Sequence, residues 1–264
     1  MESNVESVKD ILFNPRLLAP SKHILLLSHM RANSTLIGHL IGSHRDVSGY
    51  YEMHIGYYSW KSLINQKLHF HQGDPEEPVT KYYFDKILHS EHYVSADVLL
   101  RENVVTLVCL REPLQTINSI VKLYSKKHPG DSFTQPEFAA RYYIERVNMI
   151  VETVEELVKN KQRYYFYDAS NIIDNTQDVL NDIQTFSGLK TPFSTSYRKF
   201  DKTGERYYGD SSEYIHSGVV VKKPAETLAL DVDVDLLEQC EKVYRQSRDY
   251  LLEHTWSACV HEAV

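Results

Sequence analysis

Residues 23–52 read HILLLSHMRANSTLIGHLIGSHRDVSGYYE. The apolar run 24–27 is far too short for a membrane span and has the length of a buried strand. A polar loop follows at 28–35: Ser28, His29, Met30, Arg31, Ala32, Asn33, Ser34, Thr35. Apolar residues then return at helical spacing, at Leu36, Ile37, Leu40 and Ile41. Strand, polar turn and helix in that order aim backbone N–H groups and the positive end of a helix dipole at one point, where anions bind. Arg31 adds a guanidinium fork suited to phosphate oxygens, and Ser34 and Thr35 add hydroxyls at the helix start. The stretch reads as a nucleotide-phosphate loop. A kinase-type loop would read G-x-x-x-x-G-K-[ST], and here both glycines and the lysine are absent.

Outward from this stretch, VVTLVCL at 104–110 is β-branched and apolar on both faces, as in a parallel sheet covered by helices on each side. It ends in Arg111-Glu112-Pro113, and Pro113 is placed to begin a helix through Leu114, Ile117, Ile120 and Val121. The segment 136–159 carries Val147, Ile150, Val151, Val154, Leu157 and Val158 on one helical stripe. A third strand is expected at 162–167, a helix at 176–187 stopped by Gly188, and a last helix at about 233–253. Weaker patterns suggest helices at 57–68 and 81–88, a short strand at 93–96, and loops at 69–79 and 190–225. Residues 1–22 read as a leader lying over the surface of one domain, 23–264. Alternating strands and helices predict an α/β fold, P-loop-like, with a central parallel sheet flanked by helices. Ligands bind such sheets at the carboxyl ends of the strands, and the turns at 28–35 and 111–113 both leave such ends.

Composition narrows the partners. The chain has 264 residues, of which 42% are hydrophobic and 25% charged, as in an ordinary globular protein. A formal charge of −7 argues against nucleic-acid or anionic-membrane partners, so an anion site must be local. No signal peptide or spanning segment is visible, and Cys109, Cys240 and Cys259 lie far apart without metal-ligand spacing. The expectation is a cytoplasmic protein with reduced thiols. The histidines show no H-E-x-x-H or similar grouping, so no metal is expected. Oligomeric state is not legible.

The loop at 28–35 resembles the 5′-phosphosulfate loop of sulfotransferases, usually P-R-S-G-[ST]-T-L, with Met30, Ala32 and Asn33 in place of the usual proline, serine and glycine. Asn33 suits the turn because asparagine tolerates a left-handed backbone best after glycine. The run from Arg111 to Ser119 resembles the 3′-phosphate site of the same family, an arginine ending a strand and a serine eight positions later. The resemblance implies that 3′-phosphoadenosine 5′-phosphosulfate (PAPS) is the donor and 3′-phosphoadenosine 5′-phosphate (PAP) the product. It implies that Arg31, Ala32, Asn33, Ser34, Thr35, Arg111 and Ser119 bind the nucleotide. It also places Tyr167 near the adenine and the loop residues Gly209, Ser211 and Ser212 over the phosphates. Arg31 would steady the departing phosphate and Lys86 the sulfuryl group. Glu52 leads as general base, by likeness to the tyrosylprotein and some bacterial enzymes, and His54 is its rival.

The acceptor is a small molecule, a saccharide or a peptide tyrosine, and Tyr50, Tyr51, Tyr57, Tyr58 and Trp60 offer a stacking floor for it. The alternatives are a P-loop-like small-molecule kinase and a non-catalytic nucleotide-binding protein.

Overall fold

A computed structural model describes residues 15–203, 213–222 and 232–257. In chain order the elements are β1 (Lys22–Leu27), α1 (Ser34–Gly42), β2 (Val47–Ser48), α2 (Trp60–Gly73), β3 (Tyr82–Ile87), α3 (Ala96–Leu99) and β4 (Val104–Leu110). There follow α4 (Pro113–Lys127), α5 (Pro136–Lys159), β5 (Tyr165–Asp168), α6 (Asn171–Asp174), α7 (Thr176–Ser187) and α8 (Val234–His254). Short 3₁₀ turns stand at Pro15–Leu18, Ser132–Thr134 and Glu213–Ser217.

The strands form one parallel sheet in the order β2-β3-β1-β4-β5. β1 lies at its centre, with Leu25 opposite Asp85 on one side and Thr106 on the other. Because side chains alternate across a strand, Leu25 and Leu27 pack with α4, α5 and α8, while Ile24 and Leu26 pack with α1 and α7. Both faces are therefore covered, which is why 24–27 and 104–110 read as continuous apolar runs. The chain is an α/β domain with a central five-stranded parallel sheet flanked by helices.

The helix after β1 covers one face and the helix after β4 the other. The two strands are neighbours, so their trailing loops leave the carboxyl edge, the usual ligand position in such sheets, toward opposite faces.

The structure corrects three local expectations. Within 81–88, Tyr82–Ile87 form strand β3 and there is no helix. The polar pair Asp85 and Lys86 is buried within it and interrupts the apolar signature of a central strand. The segment 93–96 contributes only an isolated bridge, Val94 to Tyr57. α2 begins at Trp60 and runs to Gly73, into the expected surface loop. Cys109 and Cys240 are buried free thiols, and Cys259 lies outside the described residues. Among the described residues no helix is long and apolar enough to cross a membrane.

Candidate active site

The candidate site begins with the loop after β1. Arg31 and Asn33 both adopt left-handed backbone, with φ of 65° and 58°. Left-handed residues in short loops turn neighbouring N–H groups together into an anion-binding concavity. Asn33 is the N-cap of α1, yet its side chain makes no capping bond. Its Nδ2 donates instead to the Ala169 carbonyl at 2.8 Å, tying the loop to the end of β5. The start of α1 is thus left to an acceptor other than its own cap, and an anion is the partner such helix starts take.

Arg31 here meets Arg111 and Ser119, which follow it far along the sequence. Arg31 Nε donates to Ser119 Oγ at 2.8 Å, and Arg111 donates through Nη1 to the Arg31 carbonyl at 2.7 Å. The second nitrogen of the Arg111 fork reaches Gln115 Oε1 at 3.1 Å, one turn along α4. Burial, and then the nearby Arg31 cation, lower the Arg111 pKa. Two like charges held at one strand edge fit a ligand carrying more than one phosphate.

His29, not singled out by the sequence, locks the two loops together. It is fully buried, its Nδ1–H donates to the Met30 carbonyl, and its Nε2 accepts the Arg111 N–H at 3.0 Å. Burial lowers its pKa to about 4, so the ring is neutral and this tautomer is the one its partners require.

On the other side of β1 lies Lys86. Only 1% exposed, it stands on β3 and donates from Nζ to Thr35 Oγ1 at 3.5 Å. The expected helix lysine is therefore a buried strand lysine pointing at the α1 start.

Glu52 lies in the segment after β2. It is buried, with one oxygen 3.3 Å from the Leu88 N–H that donates to it and the other 4.0 Å from His89 Nε2. Burial raises its pKa to about 7, against the pull of Lys86, the Leu88 N–H and Arg146. His54 is exposed with φ of 54°, and its Nδ1 meets His92 Nε2 at 3.2 Å. His89 belongs to the loop after β3 and not to a helix, and burial there lowers its pKa to about 4.

Asp85 holds this side in place. Its carboxylate accepts from the Met53 N–H, the Lys86 N–H and Tyr57 Oη, at 3.0, 2.8 and 2.7 Å.

One turn of α5 supplies a third set of anchors that sequence reading missed. Tyr142 Oη accepts from the Met30 N–H and donates to the Leu88 carbonyl, both at 2.9 Å. Tyr143 Oη donates to the Arg111 carbonyl at 2.7 Å. Arg146 donates to the carbonyls of Ser28 and Ile87, at 2.9 and 2.6 Å. The ends of β1, β3 and β4 are thereby held by one helix.

Tyr167 is a buried ring packed on Tyr165 and beside the Cys109 thiol, within the core on the α1 side. Gly209, Ser211 and Ser212 lie outside the described residues. The expected stacking floor divides: Tyr50, Tyr51 and Tyr57 are buried, whereas Tyr58 and Trp60 are exposed. Tyr58 stacks on Tyr93, 5.9 Å between ring centroids.

No protein-family model matches the sequence, and no curated protein is significantly similar to it. Solved structures are. The sulfotransferase domain from the curacin biosynthetic pathway is similar with a TM-score of 0.58 and 15% identity, over 86% of this chain and 97% of that one. The sulfotransferase domain from the Synechococcus PCC 7002 olefin synthase is similar with a TM-score of 0.55 and 15% identity, over 85% and 95%. The chain has the α/β fold of these sulfotransferase domains.

Proposed function

We propose that the protein is a sulfotransferase that moves a sulfuryl group from PAPS to an acceptor hydroxyl. The observation that carries the reading is the meeting of Arg31, Arg111 and Ser119 beside the uncapped start of α1. Their place at the carboxyl edge of a sheet with this fold adds to it.

When bound, PAPS supplies an activated sulfuryl group with PAP as its leaving half. The start of α1, with Ser34 and Thr35, suits the 5′-phosphate, and Arg111 with Ser119 suits the 3′-phosphate. Lys86 and Arg31 bring positive charge to the side where negative charge grows during transfer, so much of the catalysis is electrostatic positioning. Glu52 takes the proton of the acceptor hydroxyl. A pKa of about 7 suits a base near neutral pH, since it is basic enough to accept a proton and still ionised part of the time. Glu52 is preferred to His54 because it lies buried beside Lys86, while His54 is turned toward His92. The exposed pair Tyr58 and Tyr93, with Trp60, offers an aromatic surface for the acceptor.

The test is thermal stability with PAP, against adenosine monophosphate and ATP–magnesium. Ligand at about 100 times its dissociation constant adds about 2.7 kcal/mol. Stabilisation by PAP well beyond the controls is expected. Stabilisation by ATP–magnesium alone would favour a kinase, and none with any ligand would refute the phosphate sites.

A further inference from the structure

The segments after β2 and β3 are laced together. Tyr57 and Val94 form a parallel bridge, closed by hydrogen bonds from the Tyr57 N–H to the Tyr93 carbonyl and from the Ser95 N–H to the Tyr57 carbonyl, both 2.8 Å. Asp85 pins the first segment again through the Met53 N–H. Within this frame Glu52, His54 and His92 each present a donor atom, and the three atoms lie within 4.8 Å of one another.

We propose that Glu52, His54 and His92 form a binding site for a divalent transition-metal ion of the zinc class. Two zinc–nitrogen bonds of about 2.0–2.1 Å at a tetrahedral angle set their nitrogens about 3.3 Å apart. His54 Nδ1 and His92 Nε2 already stand 3.2 Å apart. The Glu52 carboxylate supplies a third donor and water a fourth, the donor set of an open zinc site. Two imidazoles and one carboxylate select Zn²⁺, Co²⁺, Ni²⁺ or Cu²⁺ over Mg²⁺ and Ca²⁺.

Two further features fit. His54 holds a left-handed backbone that costs a non-glycine residue about 1–2 kcal/mol, and strain of this kind collects at functional sites. His89 Nε2 stands 4.0 Å from the second Glu52 oxygen, near enough to become its outer-shell partner when the carboxylate turns to an ion. His54 is exposed, which gives the ion an entry path.

The site itself does not depend on the sulfotransferase reading. Its consequence does: an ion here takes the carboxylate assigned as base, so metal occupancy and transfer exclude each other.

The experiment is calorimetric titration of the full chain with Zn²⁺, and with Co²⁺ followed by its visible absorption. Saturation at one ion per chain, with the intense bands of four-coordinate cobalt, is expected. His92→Ala and Glu52→Gln are each expected to weaken binding tenfold or more, with the metal-free melting temperature confirming that each variant is folded. His89→Ala is expected to lose about 10-fold, as outer-shell partners do. Binding that is absent, or unchanged in both His92→Ala and Glu52→Gln, overturns the site. PAP-induced stabilisation is measured on the same samples. Its loss would strike the proposed function and leave the metal site standing, and the reverse result would do the opposite.

Discussion

Glu52→Gln keeps the shape of the side chain and its acceptor for the Leu88 N–H while removing the charge. Burial lifts the Glu52 pKa from 4.5 to about 7. At 1.36 kcal/mol per tenfold change, holding the ionised carboxylate in place costs the fold about 3 kcal/mol. The sign follows from proton uptake. Below pH 4.5 the group is protonated in both states and contributes nothing. Between pH 4.5 and 7 the unfolded chain releases the proton while the folded chain keeps it, so stability falls, and above pH 7 the loss is complete. The glutamine variant escapes this loss. Urea denaturation of both proteins should show the variant about 3 kcal/mol more stable at pH 8 and about 1 kcal/mol or less at pH 5. Turnover should fall about 10²-fold or more, because the proposed proton acceptor is gone. A stability difference that does not grow with pH, or a variant less stable at pH 8, would refute the account of this site. Full residual turnover would transfer the base role to His54.

Four further outcomes are expected. Arg111→Ala should weaken PAP far more than adenosine monophosphate in a binding titration, since only the former carries a 3′-phosphate; equal losses would remove Arg111 from that role. Asn33→Gly retains the left-handed turn and loses the bond to Ala169, for about 1 kcal/mol, whereas Asn33→Val should cost about 1–3 kcal/mol more, read by denaturant midpoint. Arg146→Met strips donors from the carbonyls of Ser28 and Ile87 and should cost about 2–4 kcal/mol; a neutral result would show that water replaces the guanidinium. His29, with its pKa lowered to about 4, favours folding fully above pH 6.5. That contribution of about 3 kcal/mol should disappear as pH falls from 6.5 to 4, and melting curves of His29→Asn should lack this acid limb.

Legibility in the sequence followed burial. β1, α1 and β4 were readable because their strands are apolar on both faces and are punctuated by a polar turn or by Pro113. β3 was not, because the site places Asp85 and Lys86 inside a central strand, where an apolar pattern would otherwise stand. The apolar stripe of α5 is legible, but Tyr142 and Arg146 are not among the residues that mark it. Their role depends on strand ends that approach only after folding. The loop arginine follows from the strand, turn and helix layout, and Arg111 from the resemblance to a sulfotransferase motif. His29 has no such spacing and shows itself only by its buried contacts. The Glu52, His54 and His92 group escaped for a similar reason, since His92 arrives from a different loop and no local ligand pattern announces it.

The turn of α5 that bears Tyr142, Tyr143 and Arg146 also governs how the molecule breathes. The loop after β1 and the loops beside Glu52 are fastened to the same few side chains. Neither can detach without loosening the other, so they behave as one cooperative opening unit rather than two independent lids. In native-state hydrogen exchange the Met30 amide, bound to Tyr142, and the Leu88 amide, bound to Glu52, should open with matching free energies, and Arg146→Met should lower both together. Donor access and acceptor access would then share a single clock.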